Sequence, residues 1–171
     1  MTLKILRGYS YYFFVSTIVY FFAIVLGGSL AYKTHLTLHP KSLSILSIFF
    51  HNVEIGSLLI GVGIFSFGIG NTLLLLYNGA MVGISLKGVF NSYGLQPLVS
   101  GVAPHFFIET VATLICCTLG YESFRLMKII KRNSKSDGKE QLHIKGSVML
   151  FMVSVGLYLI AAIIESKISN P

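Results

Sequence analysis

Residues 56–88, GSLLIGVGIFSFGIGNTLLLLYNGAMVGISLKG, decide the fold of this chain, because they are long, apolar and rich in glycine. The glycines stand at eight positions: Gly56, Gly61, Gly63, Gly68, Gly70, Gly79, Gly83 and Gly88. Small residues at such spacing let helix backbones approach closely in lipid, where packing must hold helices together. Gly79 and Gly83 form a GxxxG pair, which favours helix packing inside the chain over the contact of a homo-oligomer.

The composition of the whole chain places this stretch in an integral membrane protein. Hydrophobic residues make up 54% of the chain and charged residues only 11%, and the apolar residues come in long blocks. The formal net charge of +7 does not indicate a nucleic-acid partner. The sequence has no motif that reads RNA or DNA, and its basic residues cluster beside hydrophobic segments, where topology and the lipid bilayer explain them.

Five segments are apolar enough to cross a bilayer, which takes roughly 20 residues. They are residues 11–32, 42–67, 71–89, 104–127 and 145–164. The sequence therefore predicts an all-α fold, a polytopic membrane helix bundle of about five transmembrane helices, with residues 1–171 as a single membrane domain. The glycines also allow a broken or re-entrant segment near Gly68 and Asn71.

Basic residues give the predicted orientation. Residues 128–145 form a basic loop between the fourth and fifth spans, and the positive-inside rule places this loop in the cytoplasm. Counting back puts the N-terminus in the cytoplasm as well, in agreement with Lys4 and Arg7 before the first span. With five spans the C-terminus then lies outside, and residues 33–41 and 91–103 form outward loops.

Two pairs of ionisable residues lie within apolar surroundings, where such groups usually face the bundle interior. His105 and Glu109 are four residues apart and share a helix face, and His51 and Glu54 are three apart and do the same. The four groups are candidate metal ligands, and His105 with Glu109 is also a candidate catalytic acid and base pair. A hydrogen-bonded structural network explains the same residues without any chemistry.

Other polar and small residues in the spans predict a polar cleft. Its candidate lining residues are Asn52, Glu54, Asn78, Gly79 and Pro104. Structural roles compete with this reading, since amides can bridge helices and proline is favoured in a first helical turn. Cys116 and Cys117 are adjacent in an apolar helix, so we expect packing roles rather than a disulfide or a nucleophile. No cofactor is predicted.

The segments FFHNVEIGSLLIGVGIFSFGIGNTLLLLYNGAMVGISLKG and PHFFIETVATLICCTLGYES together resemble the stage II sporulation protein M family of multi-spanning membrane proteins. The resemblance covers a core of about residues 49–123. The matching features are Asn52 after an aromatic pair, Asn78 and Gly79 with Gly83, Pro104 and His105, Glu109 and Gly120. The chain departs from the family pattern at Phe106, where the family usually has glycine.

The resemblance implies a function in the bacterial cell membrane. Compact family members of this layout occur with circular-bacteriocin production in Gram-positive bacteria, alongside an ABC-type ATPase and other membrane subunits. It therefore implies a component of bacteriocin maturation, secretion or self-immunity that handles a hydrophobic peptide in the polar cleft. Two alternatives stay open: a non-enzymatic scaffold of a sporulation or cell-wall-remodelling complex, and an intramembrane peptidase or peptide cyclase.

Overall fold

The chain is helical throughout residues 2–36, 44–134 and 144–169, apart from short connections, in a computed structural model that describes these ranges. The elements are α1 (Thr2–Leu30), α2 (Ile45–Phe65), α3 (Ile69–Tyr93), a π-helical segment (Leu98–Val102), α4 (Ala103–Gly120), α5 (Glu122–Asn133) and α6 (Ile144–Ser169). No strand occurs within these ranges, which confirms the all-α prediction.

Five helical stretches within the described ranges are long and apolar enough to cross a membrane. They are Gly8–Leu30, Ile45–Phe65, Ile69–Tyr93, Leu98–Asn133 and Ile144–Ile168. At about 1.5 Å per residue, even the 21 residues of α2 cover the roughly 30 Å of a hydrocarbon core. The predicted five-span membrane bundle is confirmed, although residues 42 and 43 of the predicted second span lie outside the described residues.

The basic loop predicted at residues 128–145 begins later than expected, because α5 continues to Asn133. Two features favour this extra helix: Glu122 lies in its first turn and Lys131 and Arg132 in its last, each matched to the helix dipole. Residues 135–143 of the predicted loop lie outside the described residues. Part of the predicted loop is therefore an amphipathic helix that forms the end of the fourth helical stretch.

The outward loop predicted at residues 91–103 is also mostly helical. Helix α3 runs to Tyr93 and ends at Gly94, whose φ of 76° is in the left-handed region. The chain becomes helical again at Gln96 and forms a π-helical turn at Leu98–Val102, where the Ala103 N–H donates to the Leu98 carbonyl. Pro104 follows this turn and has no N–H to donate, so a regular hydrogen bond to Ser100 cannot form. For the other predicted outward loop, residues 37–41 lie outside the described residues.

Helices α2 and α3 are joined by a three-residue turn, Ser66, Phe67 and Gly68. This is the region in which the sequence allowed a broken or re-entrant segment. Phe67 and Gly68 both have positive φ, at 53° and 89°. The Ser66 hydroxyl donates to the Val62 carbonyl at 2.6 Å and accepts from the Gly70 N–H at 2.7 Å. These bonds satisfy backbone groups at both helix ends, so two full helices meet in a tight hairpin.

Helix α4 lies at the centre of the bundle. Within the most apolar part of its spanning stretch, 44% is buried, against 22–28% for the other four spans. It packs against α1, α2, α3 and α6. Its buried residues are mostly small: Thr110, Ala112, Thr113, Leu114, Cys116, Cys117, Thr118, Leu119 and Gly120. Small side chains let four neighbouring helices approach one central helix.

Helices α1 and α3 run parallel and touch through their backbones. A Cβ atom on Gly79 would overlap Tyr20 and Ala23, and one on Gly83 would overlap the carbonyl oxygen of Ile24. The GxxxG pair therefore faces α1 of the same chain, as the packing alternative predicts.

We expect Gly83→Ala to separate α1 from α3 and to lower the free energy of unfolding by about 1–3 kcal/mol, the usual cost of overpacking. Gly61→Ala is the matched control, because no atom lies within 4 Å of a Cβ there. Since alanine is the better helix former, this control should be neutral or stabilising by up to about 1 kcal/mol. Unfolding of the detergent-solubilised protein, followed by circular dichroism, measures both, and equal stability of the two variants would contradict the backbone contact.

Candidate functional site

The polar side chains of α4 fall into two groups. Those near its carboxyl end contact other helices, and those near its start are ionisable. At the carboxyl end, Asn71 of α3 is fully buried and its Nδ2 donates to the Cys117 carbonyl at 2.7 Å. This carbonyl is free because the N–H of Tyr121 bonds to Thr118 instead. Asn71 thus caps the last turn of α4 from a neighbouring helix.

Further contacts of α4 with α6 involve hydroxyl and thiol groups. The Thr113 and Tyr158 hydroxyls lie 3.1 Å apart, and the Cys116 thiol donates to the Ser154 hydroxyl at 3.3 Å. As the residue number rises along α4, the partner's number falls along α6, so the two helices are antiparallel. This antiparallel ladder brings the start of α4 beside the end of α6.

At that end of the bundle, called the His105 end below, three ionisable side chains meet. His105 and Glu109 project from one face of α4, and Glu165 projects from the last turns of α6. One candidate ligand atom of each residue lies within 4.8 Å of those of the other two. His105 Nε2 is 4.0 Å from Glu165 Oε2, at the outer limit of an ion pair. All three residues are partly buried, and we call them the His–Glu–Glu cluster.

The cluster can perform two kinds of chemistry. An imidazole beside two carboxylates can accept a proton and pass it on, which is the basis of general acid and base catalysis. The same nitrogen and oxygen atoms are ligands for divalent transition metals. The Nδ1 atom of His105 is buried and has no hydrogen-bond partner among the described residues.

The other sequence-predicted residues are not brought to this cluster. His51 and Glu54 are both exposed on α2 and do not belong to the group of three ligands found among the described residues. Pro104 is exposed in the first turn of α4, and Asn78 is partly buried on α3. Gly79 packs against α1, so that helix fills the space beside it. Asn52 is buried, and its Nδ2 has no partner among the described residues.

Glu165 was missing from the candidate residues, although the sequence contains a signal for it. The chain has only six acidic residues, and Glu165 closes an otherwise apolar segment. Because consecutive spans alternate in direction, the end of the fifth span must lie at the same side as the start of the fourth. Combining span direction with the position of each acid would have placed Glu165 level with His105.

Cys116 and Cys117 are both fully buried and unpaired. The Cys117 thiol accepts from the Ser16 hydroxyl at 3.5 Å and so connects α4 to α1. Their surroundings are helix contacts rather than an accessible reaction site, and this agrees with the packing role expected from the sequence.

The opposite end of the bundle, the Arg125 end, contains a second polar network. Arg125 Nη1 donates to Glu122 Oε1 at 2.6 Å, and the Ser147 hydroxyl donates to the same oxygen at 2.7 Å. The Tyr9 hydroxyl lies 2.8 Å from that of Ser147, and the Arg125 guanidinium sits 4.0 Å from the centre of the Tyr9 ring. These contacts join α1, α5 and α6.

Comparison with known proteins gives one family. A family model described as Stage II sporulation protein M matches residues 10–170, which extends well beyond the segments at 49–123 that carry the resemblance in sequence. Neither the comparison with curated proteins nor that with solved structures gave a match.

We expect both thiols to resist N-ethylmaleimide in the folded protein and to react fully after unfolding in SDS, because buried structural cysteines are inert. Mass spectrometry counts the added labels. Ser134→Cys, at an exposed position after α5, is the control that should gain a label without unfolding. Rapid labelling of Cys116 or Cys117 in the native protein would show that α4 is accessible where the structure buries it.

We expect Glu122→Gln to destabilise the bundle by about 1.5–3 kcal/mol, since hydrogen bonds to charged groups contribute that much and Arg125 loses its charged partner. Both side chains are only 11–12% exposed, so solvent cannot replace the lost contact fully. Glu54→Gln removes an exposed carboxylate and should change the free energy of unfolding little. A comparable loss in both variants would mean that net charge, not this network, sets stability.

Proposed function

Because the chain belongs to the stage II sporulation protein M family, we propose that it is a membrane subunit of an assembly that matures, secretes or provides self-immunity to a circular bacteriocin. In this role it handles a hydrophobic peptide within the bacterial cell membrane, beside an ABC-type ATPase and other membrane subunits. The proposal includes the predicted orientation, with the N-terminus in the cytoplasm and the C-terminus outside.

The observation that carries this proposal is an apolar groove of about 950 Å³ between α1, α4 and α6. Its lining residues include Phe13 and Phe14 of α1, Val111 and Ile115 of α4, and Leu150 of α6. Ligand pockets typically measure about 300–1,000 Å³, so the groove has room for the side chains of a peptide segment. An amphipathic or apolar peptide helix would bind it as helices bind grooves in other proteins.

The groove differs from the polar cleft predicted from sequence, since Asn52, Glu54, Asn78, Gly79 and Pro104 are not among its lining residues. The His–Glu–Glu cluster does not line it either. Val111 is only two residues after Glu109 on α4, a spacing that places the two side chains on different helix faces. On this proposal the groove provides affinity for the peptide.

The His–Glu–Glu cluster favours a second candidate function, an intramembrane peptidase or peptide cyclase. In cyclisation the amino group of the peptide attacks the carbon of its own carboxyl end, the new amide C–N bond replaces a C–O bond, and that oxygen leaves as water. The protein need not supply a nucleophile for this step. His105 and Glu109 would then act as base and acid, for which groups within hydrogen-bond reach of the peptide are required.

The buried contacts of α4 favour a third candidate, a non-enzymatic scaffold for a sporulation or cell-wall-remodelling complex. Thr113, Cys116 and Cys117 are all engaged with other helices, so most polar groups of α4 serve assembly of the bundle. Under this candidate, substitutions in the cluster change folding or assembly without changing a reaction.

We expect deletion of the gene in its natural host to lower cyclised peptide, peptide export or producer immunity, each measured by mass spectrometry of culture fluid and by growth in the presence of peptide. Complementation with Val111→Trp, which fills the groove, should restore function poorly. Leu58→Trp is the matched control, because Leu58 is an exposed position on α2 outside the groove. If deletion leaves production, cyclisation, export and immunity unchanged, the bacteriocin proposal is wrong.

A further inference from the structure

We propose that His105, Glu109 and Glu165 bind one divalent transition-metal ion, with Zn²⁺ as the best match, at the His105 end of the bundle. The inference concerns binding by the purified chain and does not depend on the proposed role in peptide handling. It adds Glu165 as a ligand and excludes His51 and Glu54, which are exposed on α2.

The geometry needs only small adjustments to hold an ion. Tetrahedral ligands at about 2.0–2.2 Å from zinc lie roughly 3.3–3.6 Å from one another. In the His–Glu–Glu cluster the candidate atoms lie within 4.8 Å, and His105 Nε2 is already 4.0 Å from Glu165 Oε2. Glutamate side chains have three rotatable bonds, so closing these gaps requires side-chain rotation without helix movement.

The balance of charge also favours a cation. Two carboxylates share a partly buried space at the start of α4 and the end of α6, and like charges so placed repel each other. Among the described residues, Glu165 forms an ion pair with His105, and neither carboxylate pairs with lysine or arginine. One imidazolium neutralises at most one of them. A divalent ion bound by a neutral imidazole would neutralise both.

The second ring nitrogen of His105 is left for the proton when Nε2 binds the ion. Nδ1 is buried without a hydrogen-bond partner in the described part of the chain. Histidines that bind a metal through one nitrogen commonly donate from the other to a carboxylate, a carbonyl or water. Metal binding would therefore fix the tautomer that carries the proton on Nδ1.

The type of ligand selects the class of metal. Calcium and magnesium are bound almost entirely by oxygen atoms, whereas imidazole suits zinc, copper, iron and nickel. Three protein ligands leave a fourth position open, the arrangement in which zinc keeps a bound water or a substrate. Glu165 is 25% exposed, so the site is open to the surface of the bundle.

The test is a competition titration of the detergent-purified, chelator-stripped chain with Zn²⁺ and a chromophoric chelator. We expect one ion per chain and a rise in the melting temperature on binding, with no comparable effect of Mg²⁺. Glu165→Gln and His105→Ala should each weaken Zn²⁺ binding by at least about 10-fold, within the range of losses seen when metal sites are perturbed. Co²⁺ substitution should give the visible absorption bands of a low-coordinate site in the wild-type protein and lose them in Glu165→Gln.

His51→Ala and Glu54→Gln are the matched controls and should bind Zn²⁺ like the wild-type protein. The proposal is overturned if the stripped wild-type chain binds no Zn²⁺, or if all four variants bind it equally, which would mean adventitious binding elsewhere. Size-exclusion profiles and helix content identify a misfolded variant. If either single variant misfolds, Glu109→Gln replaces it, and unchanged affinity in a folded variant of any of the three ligands also overturns the site.

Discussion

The buried amide of Asn71 is the contact on which the arrangement of the bundle depends. It donates to the Cys117 carbonyl of α4 and lies between Gly63 of α2 and Gly120 of α4, where an added Cβ would overlap the amide. Membrane helices gain little from the hydrophobic effect on association, and an interhelical hydrogen bond contributes only about 0.6 kcal/mol on average. Helices α2, α3 and α4 must therefore pack with their backbones close together. The glycines allow this close packing, and the hydrogen bond of the amide sets the register of α3 against α4.

The sequence predicts the spans and much of their packing, because both follow from composition over a short window. Long apolar blocks identify all five spanning stretches, and Gly79 with Gly83 indicates the face of α3 that meets α1. The features that the sequence did not predict depend on more than local composition. Helix α5 contains the basic residues that suggest a loop, and the π-helical turn follows from the missing N–H of Pro104. Glu165 joins the cluster only through the antiparallel contact of α6 with α4, which no local pattern encodes.

The two ends of the bundle differ in the charges and hydrogen-bond partners of their polar groups. The side-chain hydrogen bonds between α4 and α6 lie between these ends. At the Arg125 end, Arg125 and Glu122 carry opposite charges and Glu122 Oε1 accepts two hydrogen bonds, while Glu122 Oε2 is buried without a partner among the described residues. At the His105 end, two carboxyl groups lie near one imidazole, which forms an ion pair with Glu165. Thr113, Cys116 and their partners on α6 lie between the two ends. The paired opposite charges at the Arg125 end serve stability, whereas two carboxyl groups beside one imidazole at the His105 end have the properties expected of a binding site.

The glycine contact between α1 and α3 also limits how these two helices can move against each other. Where Gly83 meets the carbonyl oxygen of Ile24, the contact is between backbone atoms, which have no rotamer to change, so sliding of one helix along the other would lose it. The contacts between α4 and α6 include hydroxyl and thiol groups, which can exchange partners over small displacements. A displacement of α6 along α4 would change the distance between Glu165 and His105, because each of the two helices carries one of these residues.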